Sequence, residues 1–335
     1  AVKAATPAVA VSNTLRIDTK LPDLSSISFE TDNDGMIDSS RAASLLAKEG
    51  NTLTLNFQTR EEIVDEGASG TNVTRVPEVT FSYSNENDQD VTRPATVVSS
   101  TDTGAVSNRW YVATYTLDGT DSGIESDVDY QIRIHDRSGN VKEYADIAAV
   151  KAATPAVAVS NTLRIDTKLP DLSEISFETD NDGMTDTSRD TTYLAKEGDG
   201  LTLKFQTREE IIDPTATDSE DQTRIPSVIF SYTDESGVEV TRSADVSADT
   251  GTTNQSFIAS YQLDSSDIGI ESDVNYSISI HDRSGNQREY RDISSVEETV
   301  SVSNTLRIDT KLPDLSGISF ETDNDGMTDT SRDTT

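Results

Sequence analysis

The chain has 335 residues, 61 acidic against 27 basic, a formal charge of −34, no cysteine and two histidines. A surface this anionic repels nucleic-acid phosphates and anionic lipid headgroups. Without cysteine there are no disulfides, thiolate metal sites or thiol nucleophiles, and two histidines leave little material for a zinc site or a catalytic triad. Neither a run of about 18 apolar residues nor a leader with a charged start and an apolar core is evident, so no membrane segment is expected.

In chain order, period-two alternation rich in Val, Ile, Thr, Tyr and Phe predicts strands. They fall around Ile27 and Phe29; Leu53, Leu55 and Phe57; Val79, Phe81 and Tyr83; Tyr111, Ala113, Tyr115 and Leu117; and Tyr130, Ile132 and Ile134. The last leads into Asp136-Arg137-Ser138-Gly139-Asn140, a turn by composition. The pattern returns with Leu201, Leu203 and Phe205; Val228, Phe230 and Tyr232; Phe257, Ala259 and Tyr261; and Tyr276, Ile278 and Ile280. Helical periodicity is nearly absent. The segment 148–159 is expected as loop or irregular edge strand, and Trp110, which aligns with Ser256, as a partly exposed edge aromatic.

The repetition is literal. Residues 1–25 recur letter for letter at 149–173, and VSNTLRIDTKLPDLS returns within SVSNTLRIDTKLPDLS at 301–316, so Asp18, Asp166 and Asp309 are successive copies, 148 and 143 residues apart. A unit of this length is a whole domain rather than a solenoid turn. About seven short strands per unit, each with one apolar face, predict an all-β fold of tandem immunoglobulin-like β-sandwiches in an elongated array; an antiparallel barrel is the alternative.

The order of motifs resembles the bacterial immunoglobulin-like repeats of giant RTX-type, type I secreted surface adhesins. The motifs are the strand 53–59 followed by Glu61-Glu62-Ile63, then Val76-Pro77-Glu78-Val79-Thr80-Phe81, Ala113-Thr114-Tyr115-Thr116-Leu117, an acidic loop, the turn at 136–140, and a last strand into Arg16-Ile17-Asp18-Thr19-Lys20-Leu21-Pro22. The units here are longer than such repeats often are. The resemblance implies boundaries at Asp-Thr-Lys-Leu-Pro: a final strand of a preceding repeat (1–18), repeat one (19–166), repeat two (167–309) and the opening of a following repeat (310–335). It also implies an extracellular, non-catalytic extender of a bacterial cell surface.

The sharpest local motif is Glu30-Thr31-Asp32-Asn33-Asp34-Gly35-Met36-Ile37-Asp38. Acidic groups at positions 1, 3, 5 and 9 with Gly at 6 follow the spacing by which a Ca²⁺ loop turns hard oxygens inward, with a carbonyl at position 7 from Met36. It recurs as Glu178, Asp180, Asp182, Met184 and Asp186, and again as Glu321, Asp323, Asp325 and Asp329. Position 12, where an EF-hand carries a bidentate Glu, is Arg41, Arg189 or Arg332, so this is not an EF-hand. A solvated Asp/Asn/Gly turn is the alternative.

In such a sandwich the loop after the first strand, the acidic loop 118–129 and the end of the last strand share one end. Asp18, Asp166 and Asp309 therefore join Asp127 and Asp273 there, and the next repeat presents Asp136 or Asp282 and the Glu61 or Glu209 loop. Carboxylates about 5 Å apart repel by about 1 kcal/mol per pair at water-like screening and by more when buried. Ca²⁺ is the expected cofactor, turning repulsion into a clamp, and neighbouring repeats of the same chain are the expected partners. A host, surface or biofilm ligand would be bound elsewhere in the full protein; repeats that themselves bind a receptor or glycan are the alternative. His135, His281 and the Glu61-Glu62 pair are expected to be structural, since no nucleophile motif accompanies them.

Overall fold

The computed structural model describes residues 15–33, 37–38, 44–63, 76–99, 109–181, 185–186, 192–209, 211, 225–249, 255–291 and 300–318. Repeat one contains β1 (Leu24–Thr31), β2 (Ile37–Asp38), β3 (Ser44–Ala47), β4 (Thr52–Thr59), β5 (Glu78–Ser84), β6 (Asp90–Pro94), β7 (Thr96–Ser99), β8 (Trp110–Thr116), β9 (Glu125–Asp127), β10 (Asp129–His135), β11 (Val141–Tyr144), β12 (Ala158–Val159) and β13 (Thr162–Asp166). They form sheets β12-β1-β4-β8-β7, β11-β10-β5-β6 and β2-β3-β13-β9. Repeat two reproduces these sheets and pairings with strands from Leu172–Thr179 to Thr305–Asp309. The fold is thus a pair of β-sandwich domains in tandem.

Alternation explains the layers. Along β4, Leu53, Leu55, Phe57 and Thr59 are buried while their neighbours are half-exposed, and β10 buries Tyr130, Ile132 and Ile134 in the same way. Phe29 on β1 meets Tyr130 on β10 edge-on at 5.5 Å and Phe81 on β5 at 6.2 Å, joining the two layers. Each such buried side chain contributes about 2–3 kcal/mol of apolar transfer. The chain changes sheet at Ala95, between β6, which pairs with β5, and β7, which pairs with β8. Pro94 sits on edge strand β6, where its missing N–H interrupts no ladder.

The recurring Ser-Asn-Thr-Leu-Arg-Ile-Asp string has a structural reason. β12 pairs in parallel with β1 for only two residues. Beyond it, Asn161 prolongs the ladder with its side chain: the Phe29 N–H donates to Oδ1 at 2.7 Å, and Nδ2 donates to the Phe29 carbonyl at 2.8 Å. The chain then crosses to run parallel to β3 as β13. Asn304 accepts from Phe177 N–H in the same way. Asn161→Leu leaves both backbone groups of Phe29 without these partners. The expected result is a loss of about 2 kcal/mol in repeat one, read from the denaturant midpoint.

Two expectations need correction. Trp110 is half-exposed as expected, but it opens β8, which lies between β4 and β7 rather than at an edge. Within 148–159 a short helix forms, α1 (Ile147–Lys151), because Asp146 caps it by accepting from Ala149 N–H at 2.6 Å and Val150 buries completely; only β12 joins the sheet edge. Leu15 and Ile17 are 92% and 81% exposed, whereas their counterparts Leu163 and Ile165 are fully buried in repeat one. Among the described residues no helix is long and apolar enough to cross a membrane.

Candidate functional site at the repeat junction

β10 runs from the acidic loop at one end of repeat one to the 136–140 turn at the other, about 23 Å away at 3.3 Å per residue. β13 leaves at the acidic end, and after five intervening residues the first strand of repeat two starts at Leu172. There the turn 282–286 of repeat two meets the exit strand of repeat one. Asp166 Oδ2 accepts from Ser284 Oγ at 3.0 Å, and its carbonyl accepts from Asn286 Nδ2 at 2.9 Å. Asn286 Nδ2 also reaches the Lys168 carbonyl at 3.2 Å and Asp282 Oδ2 at 2.7 Å. The turn is self-braced: Asp282 Oδ1 accepts from the N–H groups of Ser284 and Asn286, and Gly285 takes φ 81°, a conformation that favours glycine.

The junction gathers negative charge out of water. Asp166 is 8% exposed and Asp282 1%. Burial raises the Asp166 carboxyl above its ordinary value, with the Glu125 charge adding to it and Arg164 opposing. Burial, then the charge of Asp166, raises Asp282. Glu209 is pushed up to about 8 by burial and by Asp282, Asp166 and Glu125, with Lys168 opposing. The same set recurs at the start of repeat one. Asn140 Nδ2 donates to the carbonyls of Asp18 and Lys20 at 3.1 and 3.3 Å and to Asp136 Oδ2 at 2.7 Å. Glu61 is raised by burial, with Asp136 and Asp18 adding to it and Lys20 opposing.

The remaining anticipated ligands are dispersed. Asp127 and Glu125 pair with Arg164 at 3.3 and 2.7 Å. Asp273 and Glu271 pair with Arg307 at 3.1 and 2.9 Å, and Asp309 is exposed. Glu30 is exposed on β1, and Glu178 pairs with Lys204 at 2.8 Å. Asp32 Oδ1 accepts from Thr52 N–H, and Asp180 Oδ1 from Gly200 N–H, each at 2.7 Å. Asp34, Met36, Asp182, Met184, Glu321, Asp323, Asp325 and Asp329 lie outside the described residues, as do the side chains of Asp38 and Asp186. Among the described residues, no three acidic or histidine side chains are grouped closely enough to hold an ion in this conformation. The junction offers the hard oxygen donors that Ca²⁺ takes, and holding one ion would require its carboxylates to approach one another.

No protein-family model and no curated protein matches the chain. Among solved structures it is similar to a tetra-tandem repeat from the extending region of a large adhesion protein, at 14% identity and a TM-score of 0.23 over 79% of this chain; it spans 47% of that chain, about half its length. It is also similar to the C-terminal domain of the Streptococcus agalactiae AgI/II polypeptide BspA, at 9% identity and a TM-score of 0.31, over 85% of this chain and all of that one. Likenesses this weak carry no inference about ligand or partner.

One group expected at the junction is elsewhere. Asp121 and its counterpart Asp267 are fully buried inside the repeats. Asp121 Oδ1 accepts from the Tyr83 hydroxyl at 2.7 Å and from Arg93 Nη2 at 2.7 Å; Oδ2 accepts from the Tyr115 hydroxyl at 2.8 Å. Burial raises the Asp121 carboxyl, but the two tyrosines, the Asp118 N–H and Arg93 outweigh it and hold it below its ordinary value. A carboxylate this fully engaged is a structural pin and has no room for a cation. His135 and His281 end strands, in ladder register with Val141 and Gln287.

Proposed function

We propose that the chain is a non-catalytic spacer, a stretch of β-sandwich repeats joined end to end in a large bacterial surface adhesin, with Ca²⁺ stiffening the junctions. The observation that carries this reading is the direct seating of the 282–286 turn on Asp166, which buries like charges between two copies of one domain. A site built for catalysis places charge in an open cleft; here charge is buried where two modules abut. Asp166, Asp282 and Glu209 are the residues that would hold the ion. It would supply positive charge that offsets their mutual repulsion, at the weak affinities of extracellular modules. Type I secretion and a role in biofilm belong to the same reading, as does a ligand-binding region beyond these repeats.

The test is unfolding of the full chain by scanning calorimetry, with Ca²⁺ and with chelator, alongside elemental counting of Ca²⁺ per chain. The expected result is bound Ca²⁺ and a melting temperature raised by several degrees, a gain that Asp166→Asn with Asp282→Asn abolishes. An identical melting curve in chelator would remove the metal from the account and leave the tandem spacer. Binding of the fragment to a glycan array would favour the alternative, that the repeats are themselves a receptor- or glycan-binding module.

A further inference from the structure

Two copies of one domain in a single chain provide an internal control, because one end of repeat one is docked and the same end of repeat two is not docked among the described residues. At the docked end Asn33 is 7% exposed, and its Nδ2 donates to the Leu46 carbonyl of its own repeat at 3.0 Å and to the Ser284 carbonyl of repeat two at 3.2 Å. Lys48 Nζ donates to the Gly285 carbonyl at 2.9 Å. At the other end Asn181 makes the same internal bond, to the Leu194 carbonyl at 2.8 Å, but Lys196 turns back onto Asp199 at 3.0 Å and Asn181 Oδ1 at 3.4 Å, with its side chain 64% exposed. Burial follows the same division. Leu46 is 3% exposed while Leu194 is half-buried, and Ser284 is fully buried while Ser138, its counterpart in repeat one, is exposed.

From this contrast we infer that the Asn33–Lys48 end of a repeat is a docking surface for the Asp-Arg-Ser-Gly-Asn turn of the next repeat, and that this contact fixes the junction without a metal ion. The partner it fits is another repeat of the same kind, recognised through main-chain carbonyls that the turn presents. Among the described residues, Asn181 and Lys196 are the same surface without a turn seated on it. The chemistry suits the task. An ammonium and an amide donate to the Gly285 and Ser284 carbonyls of the tight turn, whose Ser284 hydroxyl in turn donates to Asp166. Lys48 is thus a tether to the next repeat built into the chain itself. The inference deepens the spacer reading and rests on it only for the order of repeats.

The experiment is a spin-label distance distribution between one label in each repeat of the full chain, recorded in chelator so that the metal plays no part. The expected result is a narrow distribution for the unaltered junction and one at least twofold broader for Lys48→Met and for Asn33→Ala with Lys48→Met. The matched change Lys196→Met in repeat two leaves the width unaltered. Lys48→Met keeps the aliphatic stem and leaves Asn33 in place, so it separates loss of the contact from loss of the fold. A distribution as narrow in both Lys48 variants as in the original chain would overturn the inference, as would equal broadening by Lys196→Met. Ca²⁺-dependent narrowing is measured separately, so the metal clamp can fail while the contact stands, or the reverse.

Discussion

Asp267→Ala is expected to lower the stability of repeat two by about 3–5 kcal/mol while leaving repeat one close to its original value. Asp267 is fully buried and accepts from the Tyr232 hydroxyl at 2.6 Å, the Tyr261 hydroxyl at 3.1 Å, Arg242 Nη2 at 2.8 Å and the Asp264 N–H at 3.1 Å. Removing the carboxylate strands a guanidinium and two hydroxyls around a cavity, and taking one partner from a buried charge pair typically costs that much. For a domain of this size the loss corresponds to a fall in melting temperature on the order of 10 °C. Repeat one, with Asp121 intact, serves as the reference in the same calorimetric trace, so one cooperative transition becomes two. Asp267→Asn keeps an acceptor and is expected to lose about half as much. A loss below about 1 kcal/mol would mean that the network behaves like an exposed ion pair.

The second large effect is a dependence on pH at the junction in the absence of divalent ions. Asp166, Asp282 and Glu209 are all raised in the folded chain by burial and then by neighbouring carboxylates (Glu125 for Asp166, Asp166 for Asp282, Asp282 and Asp166 for Glu209), Glu209 to about 8. An acid with a raised folded-state value binds more protons folded than unfolded between the ordinary carboxylate value, about 4, and the raised one. The contribution of these three groups is therefore greatest near pH 4–5 and falls as pH rises toward 8, opposite to that of ion-paired carboxylates such as Asp121. The expected loss across that window is on the order of 2–4 kcal/mol in chelator. Glu209→Gln flattens the slope. Millimolar Ca²⁺ does so too if it binds there, because the ion favours the ionised forms. Denaturant unfolding of the full chain from pH 5 to 9, with and without chelator, checks both. Stability in chelator that rises with pH over this range would contradict the buried repulsion.

The sandwich was legible because its core strands alternate cleanly: Thr52–Thr59 and Asp129–His135 bury every second residue. Asp90–Pro94 and Thr96–Ser99 carry no such signal, since edge strands with one half-buried apolar residue each leave little period. The five-residue helix at Ile147–Lys151 is too short to show a helical period and is fixed by its Asp146 cap. At the junction, Asp166 and Asp282 followed from topology, because repetition places one repeat's exit strand against the next repeat's turn. Asp121 and Asp267 did not, because an acid in an acidic loop looks the same whether it faces solvent or a tyrosine pair. A signal did exist: Tyr83, Arg93, Tyr115 and Asp121 return as Tyr232, Arg242, Tyr261 and Asp267 although the segments between them diverge. Asn33 and Lys48 carried no such signal, since their whole neighbourhood repeats and only the docked geometry reveals the contact.

The most direct measurement of the end-to-end spacer is small-angle scattering of the full chain at neutral pH, with Ca²⁺ and with chelator. The account expects one elongated particle in both conditions, with repeat two extending the long axis of repeat one through the Asp166 junction, and a narrower spread of dimensions when Ca²⁺ is present. A compact particle with the two sandwiches folded side by side, or a fully flexible pair in both conditions, would contradict it.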